Sequence, residues 1–158
     1  MSDMFSEDPA KPEVEVHDQA LTGKCLCGAV SITLNHMRRE VDICHCDMCR
    51  RTYGSFGAMV AGDGFSVAGD ENVGIYRSSE WAERAFCKTC GSALWYRFSP
   101  TDFYSFAAGH FDLPEGLPIK QQIFVEEKPD WYDLAQDSPM KTGEELIAQA
   151  KAAGISFE

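Results

Sequence analysis

The sequence predicts a mainly β fold, mostly antiparallel, closed by one short C-terminal helix. Three observations predict it. From Leu21 onward apolar residues come in short alternating runs bounded by Gly, Pro, Asp or Ser, the punctuation of strands and turns. One helical signature stands near the end of the chain. Seven cysteines fall into three clusters, two of which end in Cys-Gly and run straight into a strand-like segment. A length of 158 residues suits a single domain that buries roughly two-thirds of its unfolded surface.

Taken in order, residues 1–20 hold Asp3, Glu7, Asp8, Glu13, Glu15 and Asp18 against Lys11, with few large apolar groups. They read as a flexible acidic arm, and residues 21–158 as the single domain. Val30, Ile32 and Leu34 alternate with Ser31 and Thr33, which gives a strand one apolar face, and Val41 and Ile43 continue the pattern. Further strands are predicted at Ser55–Ala61, Phe65–Ala68, Gly74–Arg77, Arg84–Phe86, Ala93–Phe98, Phe103–Ala108 and Ile119–Val125. Thr142-Gly143-Glu144-Glu145 has the form of a capping box, Leu146, Ile147 and Ala150 follow as an apolar stripe, and Gly154 is the stop.

With 44% hydrophobic and 25% charged residues the chain reads as a soluble globular protein. A net charge of -11 argues against nucleic acid or an anionic membrane as partner. No apolar run reaches the ~20 residues a membrane helix needs. The start lacks the basic and apolar regions of a secretory signal, so a cytoplasmic address is expected, where thiols stay reduced. An odd cysteine count also leaves one thiol over in any full pairing. Disulfides are therefore the weak reading. The oligomeric state is left open, with Phe103, Phe106 and Ile123 as candidates for a dimer edge.

The clusters are Cys25-Leu26-Cys27-Gly28, Cys44-His45-Cys46-Asp47-Met48-Cys49 and Cys87-Lys88-Thr89-Cys90-Gly91. A glycine after the second thiolate suits a metal knuckle, because the backbone must turn sharply there, often at positive φ. Two such knuckles supply the four thiolates of a closed tetrahedral zinc site, so Cys25 and Cys27 pair with Cys87 and Cys90 as the ligands of a structural zinc. A redox dithiol would open a helix in a βαβ setting, which is absent.

The middle cluster offers three thiolates, Cys44, Cys46 and Cys49, and no fourth. Three protein ligands with one position open is how a catalytic zinc is built. His45 points away from the face that Cys44 and Cys46 share in an extended segment, so it bonds a ligand or packs locally. The alternatives are a site closed by a distant residue such as His110, or free or iron–sulfur thiols. Thiolate-ligated zinc accepts another thiolate readily, which makes thiol exchange more natural there than hydroxide generation. Arg50 and Arg51 are placed to hold substrate carboxylates, with charge compensation or a solvated face as the alternatives.

These three segments, with Ala108-Gly109-His110-Phe111-Asp112 and Trp131-Tyr132-Asp133-Leu134, resemble the signatures of the glutathione-dependent formaldehyde-activating enzyme family, which includes centromere protein V. The resemblance runs from about Thr22 to Asp137. It implies an Mss4-like zinc-bound β fold and two zinc ions, a structural one on Cys25, Cys27, Cys87 and Cys90 and a displaceable catalytic one on Cys44, Cys46 and Cys49. The reaction it implies joins formaldehyde and glutathione to S-hydroxymethylglutathione, formally a carbon–sulfur lyase run backwards. The Cys-His-Cys-Asp-Met-Cys-Arg-Arg segment is closer to the family's broad branch than to the formaldehyde-activating enzymes themselves. The metal sites therefore carry over and formaldehyde as substrate does not.

Two functions are expected from this. One is a zinc-dependent carbon–sulfur lyase-like enzyme acting on adducts of small aldehydes with glutathione or a related thiol. There Arg50 and Arg51 bind carboxylates and His45 is a candidate for moving the proton. The other is a zinc-structured binding module, or a glutathione and zinc carrier, with Trp81, Trp131 and Tyr132 as its contact aromatics.

Overall fold

Two sheets carry the chain in the computed structural model, which describes residues 15–157. Strand β1 (Leu21–Lys24) turns through the first cysteine cluster into β2 (Ser31–Asn35), and β3 (Val41–Cys44) leads into the short helix α1 (Asp47–Tyr53). There follow β4 (Gly57–Val60), β5 (Gly64–Ala68), β6 (Val73–Arg77), β7 (Ala82–Cys87), β8 (Ala93–Phe98) and β9 (Phe103–Ala107). The chain ends with β10 (Ile119–Ile123), β11 (Met140–Lys141) and α2 (Gly143–Ala152). The small sheet has the order β1-β2-β5 and the large one β11-β10-β3-β4-β9-β8-β7-β6.

The expected mainly β fold and its late helix are present. Val30, Ile32 and Leu34 are fully buried, as their alternation requires, and join Leu94, Trp95 and Phe106 in one core between the sheets. Each such side chain contributes about 1.5–3 kcal/mol by leaving water. The capping box forms in both directions: Thr142 Oγ1 accepts from the Glu145 amide at 3.1 Å, and Glu145 Oε2 accepts from the Thr142 amide at 3.2 Å. Gly154 takes a φ of 84°, the left-handed turn that ends a helix.

Three features differ from expectation. The strand β10 runs parallel to both β3 and β11, where an antiparallel partner was expected. The connection over residues 108–118 leaves β9 and passes β4 and β3 before pairing, so β10 enters in the direction of β3. Its register sets Ile123 beside Cys44. Second, helix α1 occupies a segment for which the sequence predicts no element. It has no apolar periodicity and its N-cap is a thiol, Cys46 Sγ accepting from the Cys49 amide at 3.3 Å. Third, Phe106 and Ile123 are 1% and 6% exposed on interior strands, so their side chains fill the core and not a dimer edge.

Most of the acidic arm, residues 1–14, lies outside the described residues. Its last part runs beside residues 37–39, with the His17 amide donating to the Met37 carbonyl at 2.7 Å and the Arg39 amide to the Glu15 carbonyl at 2.8 Å. Among the described residues no helix is long and apolar enough to cross a membrane.

Candidate metal-binding active site

The seven thiols gather into two groups, within each of which the sulfurs lie no more than 4.8 Å apart. The first joins the β1–β2 turn to the β7–β8 turn and contains Cys25, Cys27, Cys87 and Cys90. Gly28 and Gly91 both take positive φ, 79° and 78°, and their amides reach back to the carbonyls of Cys25 and Cys87. Cys27 Sγ lies 3.7 Å from Cys25 Sγ and 3.8 Å from Cys87 Sγ. A tetrahedron with metal–sulfur bonds of ~2.3 Å has edges of about 3.8 Å, so the spacing fits a zinc ion. The Val30 amide donates to Cys25 Sγ at 3.4 Å, and Ser92 holds the Cys90 thiol down at about 5 through hydrogen bonds from its hydroxyl and backbone. Since one knuckle belongs to each sheet, an ion here would staple the two sheets together.

The second group is Cys44, at the end of β3, with Cys46 and Cys49 at the start of α1. Among the described residues no histidine or carboxylate joins it. His110, expected as one possible closing ligand, instead bonds the Ala93 carbonyl. The trio shares its protons unequally. Hydrogen bonds from the Cys44 and Cys49 thiols lower the Cys46 pKa to about 2, helped by the Cys49 amide. Cys44 is pushed well above the thiol range by its bonds to Cys46 and Cys49 and by burial. Cys44 pulls Cys49 down, but its donation to Cys46, burial and the Cys46 charge prevail and leave it at about 11. Ionising all three sulfurs at this spacing would need a cation among them, and a soft three-sulfur donor set fits zinc.

His45 faces the other way. It is fully buried, and its Nε2 lies 2.8 Å from Gln122 Oε1 and its Nδ1 2.7 Å from the Tyr132 hydroxyl. Burial pushes its pKa down, so the ring is neutral. The Gln122 oxygen can only accept, hence Nε2 carries the proton and Nδ1 accepts from Tyr132. Gln122 Nε2 in turn donates to Ser138 Oγ at 2.9 Å. This satisfied network pins the residue between Cys44 and Cys46 and turns both thiols to the opposite side. Arg50 and Arg51 both pair with Asp47, at 3.6 and 3.0 Å, and Arg51 is largely exposed.

The trio opens onto a cavity of about 490 Å³. Its wall includes Arg84, which neither Arg50 nor Arg51 joins. Arg84 is 8% exposed, its Nη2 stands 3.8 Å from Cys49 Sγ, and its guanidinium lies over the Tyr96 ring at 5.2 Å. Its Nε and Nη1 have no hydrogen-bond partner. Burial opposes the charge of Arg84, but Cys49 outweighs it and raises the guanidinium above its ordinary value. Tyr53 and Tyr96 complete this end of the cavity, and burial raises both phenols well above their usual range, so they stay protonated.

Known proteins share this arrangement of sequence. The sequence profile of the glutathione-dependent formaldehyde-activating enzyme family matches residues 20–127. This chain belongs to that family. It is 35% identical to an uncharacterized lyase of Schizosaccharomyces pombe over 79% of this chain and 93% of the relative. It is 34% identical to a Halomonas elongata protein named as a candidate glutathione-dependent formaldehyde-activating enzyme, over 72% of this chain and 80% of the relative. A crystal structure of a Rhodobacter sphaeroides protein superposes with a TM-score of 0.50 at 27% identity, covering 63% of this chain and 99% of that one. The family places the chain among glutathione-related lyases, and its two cysteine groups could each bind a metal ion.

Proposed function

We propose that the chain is a zinc-dependent carbon–sulfur lyase-like enzyme that makes and breaks adducts of glutathione, or a related thiol, with aldehydes. The observation that carries this is the contrast between the two sulfur groups. Four thiols close one site, while three open onto a cavity with a buried guanidinium beside them. Cys25, Cys27, Cys87 and Cys90 would hold a structural zinc, and Cys44, Cys46 and Cys49 a catalytic one. When bound at the trio, zinc supplies the Lewis-acid charge that keeps thiols ionised at neutral pH.

The protein's own groups supply the rest. The Arg84 guanidinium, charged and set beside Cys49, would stabilise the aldehyde oxygen, where negative charge develops as the carbon–sulfur bond forms. Tyr53 and Tyr96 remain hydrogen-bond donors at the same end. With both ring nitrogens engaged, His45 acts as a positioning residue for the cysteines in place of the proton carrier the sequence suggested. Arg50 and Arg51, tied to Asp47, support α1 and lie outside the cavity wall, so recognition of the aldehyde end falls to Arg84.

The test is exchange-detected NMR of glutathione with an aldehyde, comparing wild type and Cys46→Ser. The wild type accelerates adduct exchange and the variant loses that acceleration. A Cys46→Ser protein with full turnover on every pair that the wild type accelerates would refute the proposal.

A further inference from the structure

The cavity beside the cysteine trio is larger and more apolar than a one-carbon aldehyde needs. About 490 Å³ lies within the ~300–1,000 Å³ range of sites that enclose a whole organic ligand. Away from the thiols the wall is apolar and made by Trp81, Phe98, Phe103, Leu146, Ile147 and Phe157. Trp81 and Phe98 meet Phe157 at ring separations of 5.7 and 5.8 Å. Leu146 and Ile147 come from α2, and with Phe157 they belong to residues 128–158, beyond the part matched by the family profile. This end of the cavity is thus completed by the C-terminal segment.

The charges along the wall divide by depth. Asp42, Asp47, Glu127 and Lys151 are partly or well exposed, whereas Arg84 is buried beside the sulfurs. The apolar lobe therefore offers little to the carboxylates and ammonium of glutathione, each of which would lose water without gaining a partner. It suits a carbon body. The Arg84 guanidinium lines the same cavity, with Nη2 3.8 Å from Cys49 Sγ, so an adduct formed at the thiols would have its oxygen near that positive charge.

We infer that the aldehyde half of the substrate carries an aromatic or branched aliphatic group, seated in the apolar lobe lined by Trp81 and by Leu146 and Ile147 of α2, with its oxygen near the Arg84 guanidinium. This rests on the thiol–aldehyde reading above. The step is balanced without an oxidant: the sulfur forms a bond to the aldehyde carbon, the C=O π bond is lost, and the thiol proton ends on the oxygen. The reverse step returns the thiol and the aldehyde. Residues 143–157 set the selectivity.

The experiment uses the zinc-loaded full chain, with glutathione as thiol and either phenylacetaldehyde or formaldehyde as partner. Binding of the unreactive probe 2-phenylethanol is read separately from chemical-shift changes of the Trp81 indole. Phenylacetaldehyde is favoured at least ~10-fold in kcat/KM, since each well-packed methylene alone is worth about 10-fold or more. The substitution Ile147→Glu, at a position already 39% exposed and so tolerant of change, lowers that preference and weakens probe binding. Equal or better use of formaldehyde would overturn the inference and leave the thiol–aldehyde reading standing. Probe binding without acceleration of either aldehyde would overturn that reading and with it the substrate assignment, leaving an apolar site alone. Failure to bind the probe together with no preference overturns the inference outright.

Discussion

Arg84 Nη2 stands 3.8 Å from Cys49 Sγ, which sets a buried guanidinium against the cysteine trio with its Nε and Nη1 unpartnered. The two residues come from β7 and α1, and nothing in the sequence of β7 ties it to the cysteine cluster. Together they set a positive charge beside the sulfurs, where the proposed aldehyde oxygen would gain negative charge. Replacing Arg84 by Lys keeps the positive charge and removes the planar fork. Zinc content is expected to stay unchanged while kcat falls by about 10²-fold, the usual loss for one oxyanion donor. Metal analysis with adduct-exchange kinetics checks both, and unchanged kcat would remove Arg84 from the chemistry.

Metal loading of the trio releases protons. In the metal-free protein at pH 7 Cys46 is ionised, at about 2, while Cys44 and Cys49 hold their protons because their pKa values are raised. A zinc ion must displace those two, so affinity falls as pH drops and rises towards the raised thiol values. Titration of the metal-free trio in weakly buffered solution is expected to liberate about two protons per ion. Binding at that site with no proton release would contradict this assignment of charge.

The two cysteine groups differ in what their loss does to the fold. Cys87 is fully buried and its knuckle ties the sheets together, so Cys87→Ser is expected to remove the ion of the first group and unfold the chain. Structural zinc contributes on the order of 10 kcal/mol, about all the stability a domain has. Cys46→Ser loses the other ion and still folds. Thermal unfolding of both variants separates these outcomes, and a Cys87→Ser protein as stable as the wild type would rule out a structural role.

Tyr132→Phe tests the positioning role of His45. Without the hydroxyl, Nδ1 is buried and unpaired, at a cost of about 1–3 kcal/mol. The affinity of the trio for zinc is expected to fall by about 10–100-fold, as when an outer partner of a ligand is removed, while the four-cysteine group keeps its ion. Competition with a chromophoric chelator reads both sites in one titration. Equal weakening of the two sites would point to a general loss of structure.

What the sequence made legible follows the range over which the physics acts. The pairing of Cys25 and Cys27 with Cys87 and Cys90 was readable because each knuckle announces itself locally through its Cys-Gly step, and Gly28 and Gly91 adopt the positive φ this demands. The cap of α2 was readable for the same reason. The place of Arg84 beside Cys49 was not, because Glu83-Arg84-Ala85 is an ordinary strand sequence until β7 lies beside α1. The parallel pairing of β10 was equally hidden, since it depends on a crossover past two strands. The partners of His45 were hidden too, since Gln122 and Tyr132 lie 77 and 87 residues away in the chain. Helix α2 was visible as a helix, but only the fold shows that its apolar stripe helps wall the cavity.

The central claim is that one metal site is closed and the other open to a substrate thiol. Zinc content per chain, measured before and after titration with glutathione, tests it most directly. Two ions are expected, one held by Cys25, Cys27, Cys87 and Cys90 throughout and one at Cys44, Cys46 and Cys49 that glutathione displaces. A single tightly held zinc per chain, unaffected by glutathione, would contradict it.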